Sequence, residues 1–128
     1  MSLSWQTLVA VGCGGFLGAI ARVYINFTVT KLLPYEFPFG ILTVNLLGSF
    51  LIGILFAVFI HYNINESLKA FLTAGFLGAL TTYSTFAIES FFLLETAFLM
   101  GIANMALNLF GTILAAGSGY KLFFFFLK

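Results

Sequence analysis

The sequence has no aspartate, one cysteine, one histidine and two prolines, and its 128 residues include only five cations and four carboxylates. Each shortage excludes something. Charged residues make up 7% of the chain, against about 25% in a soluble domain. So few charges cannot cover a folded surface against water, and the solvent must be lipid. A formal net charge of +1 gives no electrostatic footing for nucleic acid. Cys13 stands between Gly12 and Gly14 with no second cysteine to pair with, so it reads as a small packing residue. One His, one Cys and no Asp do not assemble a nucleophilic triad, a zinc site or a carboxylate dyad, and the chain is read as a non-enzyme. His61 stands at a helix end and reads as a loop residue. The N-terminus lacks a cationic n-region and its first apolar run exceeds an h-region, so no signal peptide is expected.

What remains is apolar: 62% of residues are hydrophobic and the mean hydropathy is +1.14. Crossing a hydrocarbon core of about 30 Å takes about 20 helical residues. Four stretches are long enough, near 5–27, 39–60, 68–93 and 97–120, which predicts one all-α transmembrane domain over 1–128. The segment 31–38 holds both prolines and Glu36, so the first helix cannot run into the second. His61 to Ser67, with Asn63 and Asn65, is a polar turn in which Asn65 or Ser67 caps the third helix. Glu95 marks a very short turn before the fourth. Trp5 and Tyr120 fall where interfacial aromatics belong, and the run Phe123–Phe126 before Lys128 also looks interfacial.

Four spans put both termini and the 61–67 loop on one side. Lys69, Lys121 and Lys128 fall there, with Lys31 opposite and Arg22 near the same far end of helix 1. This is a feeble asymmetry under the positive-inside rule. It permits insertion in both orientations, and with that an antiparallel dimer.

Helices 2 and 4 carry a repeat. Asn45-Leu-Leu-Gly48-Ser49-Phe-Leu51 aligns with Asn108-Leu-Phe-Gly111-Thr112-Ile-Leu114, and both helices run in the same direction. Each has Asn, then Gly three residues on, then a hydroxyl, on one stripe of the helix. Plain helix-to-helix glue is the competing explanation for either site alone. Gly14 and Gly18 form a GxxxG, and Gly111, Ala115 and Gly119 make a smooth face for close packing.

Helix 3 carries five consecutive hydroxyl residues, Thr81-Thr82-Tyr83-Ser84-Thr85, near the middle of its span. Hydroxyls can satisfy backbone groups freed where a membrane helix breaks, and a break is tolerated only inside protein or around water. A kink or unwinding is therefore expected around Gly78–Thr82, with freed carbonyls that suit a hard cation without acidic ligands. A continuous helix whose hydroxyls bond back to their own turn is the alternative. Arg22, some five residues from the expected end of helix 1, anchors topology or draws an anion into a vestibule. Glu89 lies in the second half of helix 3, where carboxylates are usually functional or paired; capping a polar network with Ser90 is its other reading.

Three elements together give the chain a family resemblance. They are GxxxGAxxR from Gly14 to Arg22, the Gly-x-Leu-x-x-Asn-Leu-x-Gly run Gly40–Gly48, and above all Gly-x-x-Thr-Thr-aromatic-Ser-Thr-Phe from Gly78 to Phe86. Across essentially its whole length the sequence resembles the Fluc (CrcB-type) fluoride channels. The resemblance implies an antiparallel, dual-topology homodimer of four-helix subunits with helix 3 broken near its middle and two fluoride pores. It implies a structural Na+ at the dimer interface, held by the backbone carbonyls of Gly78 and Thr81. It further implies pore aromatics at Tyr83 and Phe86, the pore asparagine at Asn45, and a polar track of Ser84 and Thr85 with Asn104, Asn108 and Thr112 on helix 4. Arg22 and Glu89 join the fluoride pathway on their intramembrane position. Tyr83 departs from the usual Phe and adds a hydroxyl to the ring.

The physics of the ion agrees. Fluoride is small and strongly hydrated, so amide N–H and hydroxyl donors must replace its water without a trapping charge, and aromatic rings carry positive edges. The implied role is passive fluoride export across a bacterial inner membrane, with fluoride, lipid and a second copy as partners. A small multidrug-type antiporter would need a carboxylate in helix 1, which has only Arg22. A non-transporting assembly subunit would not need five hydroxyls in a row.

Overall fold

A computed structural model describes residues 3–127; Lys128 lies outside them. Among the described residues the chain is helical without strands, and four helices are long and apolar enough to cross a membrane. They are α1 (Trp5–Leu32), α2 (Phe39–His61), α3 (Glu66–Thr96) and α4 (Phe98–Leu127). This is a multi-pass membrane protein.

The helix ends follow local chemistry. The Ser4 side chain accepts from Thr7 N–H to cap α1, and Asn65 Oδ1 accepts from Ser67 and Leu68 N–H to cap α3. Helix α1 runs to Leu32, five residues beyond the hydropathy-based limit, because nothing before Pro34 obstructs the backbone. Arg22 is therefore ten residues from the helix end (32 − 22), about 15 Å at the helical rise. It is half-buried, and no carboxylate pairs with it among the described residues. Helix α4 likewise continues to Leu127, so the phenylalanine run is helical. There Phe123 and Phe124 meet His61 edge-on, with ring centroids 6.2 and 6.3 Å away, and Phe123 also meets Tyr62. His61 closes the C-terminus of α2 against these rings.

Helix α1 lies on the first half of α3, where 71–77 is wound as a π-helix and Gly78 N–H reaches Thr73 O, five residues back. The approach is backbone to backbone. A Cβ at Gly14 would sit 2.3 Å from Phe71 O, and one at Gly18 2.1 Å from Phe76 O. The GxxxG is thus the seam between α1 and α3. Helices α2 and α4 close up in the same manner: a Cβ at Gly53 would meet Ala116 O at 2.0 Å and one at Gly119 would meet Phe50 O at 2.2 Å. Between the two pairs a small core of Ile41, Val44, Leu77 and Leu80 is filled in by Ala21, Ile25, Phe76 and Phe86. Much of the remaining apolar surface, including Phe16, Ile20, Phe110 and Leu114, is exposed, as lipid-facing or partner-facing surface is in a protein whose solvent is a bilayer.

Gly18→Ala tests the seam. The added methyl forces α1 away from Phe76, and repacking is expected to cost about 1–3 kcal/mol. Denaturant titration of the purified protein in detergent reads this loss, and an unchanged midpoint would count against the close approach.

Candidate functional site

The site is built where α3 is interrupted. Its helix stops at Leu80, Thr81 (φ −86°, ψ 157°) and Thr82 (φ −148°, ψ 121°) are extended, and helix resumes at Tyr83. Gly78 itself is helical. Two residues of extended chain redirect the local hydrogen bonds. In a continuous helix Thr82 N–H would reach Gly78 O; here it donates to Asn45 Oδ1 at 2.9 Å. Thr85 N–H would reach Thr81 O; here it donates to Thr82 Oγ1 at 3.3 Å, which caps the second half of α3. Asn45 Nδ2 returns a bond to Thr82 O at 3.2 Å. One side-chain amide thus serves both backbone groups of Thr82, while the Gly78 and Thr81 carbonyls lose their next-turn donors. Thr81 stays tied to the first half through its N–H and Oγ1, both on Leu77 O. Gly48 makes room for it: a Cβ there would lie 2.3 Å from Thr81 Cγ2.

From Asn45 the polar contacts continue into α4. Asn45 Nδ2 donates to Asn108 Oδ1 at 2.9 Å. Asn108 Nδ2 donates to Asn104 O and Oδ1 at 2.9 and 3.0 Å, and Asn104 Nδ2 donates to Ser90 Oγ at 2.9 Å. Thr112 Oγ1 donates to Asn108 O. The two asparagines of the sequence repeat therefore bind each other directly, and their trailing hydroxyls, Ser49 and Thr112, line the same cavity. That cavity has a volume of about 340 Å³ and is walled by Asn45, Thr81, Thr82, Tyr83, Phe86 and Asn108, among others. A second concavity of about 200 Å³ shares Ser49 and Thr81 with it and is bordered by Gly78 and Thr73.

Of the residues singled out from sequence, Asn45, Tyr83, Phe86, Asn108 and Thr112 line the first cavity and Gly78 and Thr81 border the second. Tyr83 and Phe86 meet edge to face, centroids 5.4 Å apart at 76°. Tyr83 is 80% exposed, so this wall of the cavity is open. Ser84 and Thr85 are beside the break, hydrogen-bonded to the Thr82 hydroxyl rather than lining the cavity. Asn104 is 1% exposed and lies behind Asn108. Arg22 and Glu89 are away from both concavities; Glu89 Oε1 is buried with no hydrogen-bond partner among the described residues. Sequence reasoning did not single out Thr82, Ser49, Met105 and Leu109 as lining residues. The repeat was the signal for Ser49, which stands opposite Thr112. Ser49 is also a cavity hydroxyl that makes no hydrogen bond among the described residues.

The family model described as "CrcB-like protein, Camphor Resistance (CrcB)" matches residues 9–120. The chain is 52% identical over 120 residues to a protein of Sulfurimonas denitrificans named "Fluoride-specific ion channel FluC", covering 92% of this chain and 93% of that one. Proteins of the same name from Nautilia profundicola and Campylobacter jejuni are 42% and 44% identical, over 93% and 92% of this chain and 94% and 98% of theirs.

Thr82→Val removes the cap on Thr85 N–H and keeps the shape. It is expected to cost about 1–2 kcal/mol in detergent denaturation, with Thr82→Ser close to the parent. Equal midpoints for Val and Ser would show that the hydroxyl does not hold the break.

Proposed function

The chain belongs to the CrcB-like protein family, and on that footing we propose that it is one subunit of a fluoride-selective channel that lets fluoride leave the cytoplasm passively. The observation that carries this reading is the interruption at Thr81–Thr82, which gathers amides, hydroxyls and the Tyr83–Phe86 rings around one cavity. A small hydrated anion needs donors and positive ring edges in place of its water; the cavity wall offers the Ser49 and Tyr83 hydroxyls, uncommitted among the described residues, and the ring pair, without a fixed charge. Fluoride passes along Asn45, Tyr83, Phe86, Asn108 and Thr112, with Ser84 and Thr85 continuing the track. Arg22 contributes positive potential on approach.

The functional unit is an antiparallel homodimer with dual topology. The exposure of Tyr83 supports it, since a second copy seated there would enclose that ring. The chain resides in a bacterial inner membrane. A structural Na+ fits between the copies at Gly78 and Thr81, because both residues border one concavity and their carbonyls have lost their helical donors. Carbonyl oxygens suit a hard cation. Bound there, the ion would take these carbonyl oxygens as ligands and tie the copies together. Thr81→Ser keeps the backbone ligands and is expected to keep the ion.

Vesicles containing the purified chain and loaded with fluoride are the direct test. The parent is expected to release fluoride far faster than empty vesicles and to retain chloride. Phe86→Ile keeps bulk but removes the ring quadrupole, and Asn45→Asp puts a carboxylate in the path; each is expected to reduce flux by about tenfold or more. Both are compared at equal dimer content, since loss of assembly mimics loss of the pore. Parent-rate flux in both would move the pathway off these residues. For the antiparallel arrangement, a single cysteine in the 61–67 loop is expected not to crosslink two subunits through that same loop. Efficient crosslinking would mean parallel subunits.

A further inference from the structure

We propose that Ser90 and Asn104 are positioning residues for anion selectivity, acting at the far end of a directional amide chain that begins at the Thr82 N–H; this rests on the channel reading above.

The direction of the chain follows from chemistry. A backbone N–H can only donate, so the bond from Thr82 N to Asn45 Oδ1 fixes which end of that amide is oxygen. The Asn45 NH2 then faces Thr82 O and Asn108 Oδ1. That sets the Asn108 amide with its NH2 on Asn104, which in turn sets Asn104 with its NH2 on Ser90 Oγ. The freed Thr82 N–H, together with the carbonyls of Thr82 and Asn104, thereby orients three amides on two other helices. Asn45, Asn104, Asn108, Thr82 and Ser90 are all buried, and Asn104 and Ser90 stand off the cavity.

The consequence is electrostatic. The Oδ1 atoms of Asn45, Asn108 and Asn104 are each capped by an N–H. Asn45 and Asn108 line the cavity, and an uncapped amide oxygen there would repel an anion and attract a cation. Ser90 supplies the terminal acceptor. Without it Asn104 has lost the partner of its NH2, and the inexpensive repair is to rotate that amide. Rotation turns an NH2 toward the Asn108 NH2; Asn108, whose NH2 is also held by Asn104 O, is pushed off rather than turned, and its Oδ1 parts from the Asn45 NH2 and is left uncapped at the cavity. Neither Ser90 nor Asn104 lines the cavity, so their effect reaches the ion only through Asn108 and Asn45.

The test uses the full chain reconstituted in vesicles, with fluoride and chloride efflux measured side by side and the parent in the same preparation. Ser90→Ala is expected to lower fluoride-over-chloride discrimination by about tenfold, near the low end of what leaving one buried donor unpaired costs. Ser90→Thr keeps the hydroxyl and is expected to match the parent, whereas Ser90→Val, of the same shape, behaves like Ser90→Ala. Ser90→Ala combined with Asn108→Leu is expected to be no worse than Asn108→Leu alone, because both act through one chain. A purely packing role would make Thr and Val alike and the two changes additive, and either result overturns the proposal. If Ser90→Ala does not assemble, Ser90→Cys, similar in size with a weak acceptor, takes its place: lost discrimination supports the assignment and parent-like discrimination removes it. A parent that releases no fluoride would instead overturn the channel reading itself.

Discussion

A peptide group inside a bilayer must find its hydrogen-bond partners within the protein, and at Thr82 one side chain supplies both. Asn45 accepts from the Thr82 N–H and donates to its carbonyl, so the interruption of α3 is stabilised by an amide borrowed from α2. The rest of the site depends on that exchange. It lets two residues leave helical geometry in the middle of a span and turns the Gly78 and Thr81 carbonyls out of the helical ladder. It also places Tyr83 at the start of a new helix, where its ring meets Phe86. Gly48 completes the joint by leaving the room that Thr81 occupies.

The four spans were legible because hydropathy reports directly on burial in lipid. Their ends were less so, since a helix stops where its backbone is obstructed rather than where the hydrocarbon ends; Pro34 governs α1, and nothing in 121–127 stops α4. The site was legible in proportion to its local content. A run of hydroxyls announced that helix 3 carries unusual backbone, but which of Thr81 to Thr85 would do the capping depends on where Asn45 arrives from α2. The repeat put Asn45 and Asn108 on corresponding stripes without revealing that they touch. Asn104 and Asn108, one turn apart, are indistinguishable by spacing. Only the packing of the second half of α3 decides that Asn108 faces the cavity and Asn104 faces Ser90.

The electrostatics of the cavity wall are those of dipoles rather than charges. Arg22 and Glu89, the charged side chains well inside the spans, both lie off it. What remains is a set of amides with a common orientation, the Thr81 and Thr112 hydroxyls committed to neighbouring carbonyls, and a ring pair in which the edge of one is directed at the face of the other. A wall of this kind offers partial positive charge at several points and concentrates it at none, which suits an ion that must leave as readily as it enters.

The bond between Asn45 and Asn108 spans 63 residues of sequence and joins two helices separated by a third. During biogenesis α2 emerges into the membrane well before α4 exists, carrying an asparagine whose eventual acceptor has not been synthesised. Polar side chains in that position bind whatever partners the bilayer provides in the interval. The protomer is therefore assembled by exchange rather than by simple addition of spans. Its second helix acquires its final neighbours only after the fourth has been inserted.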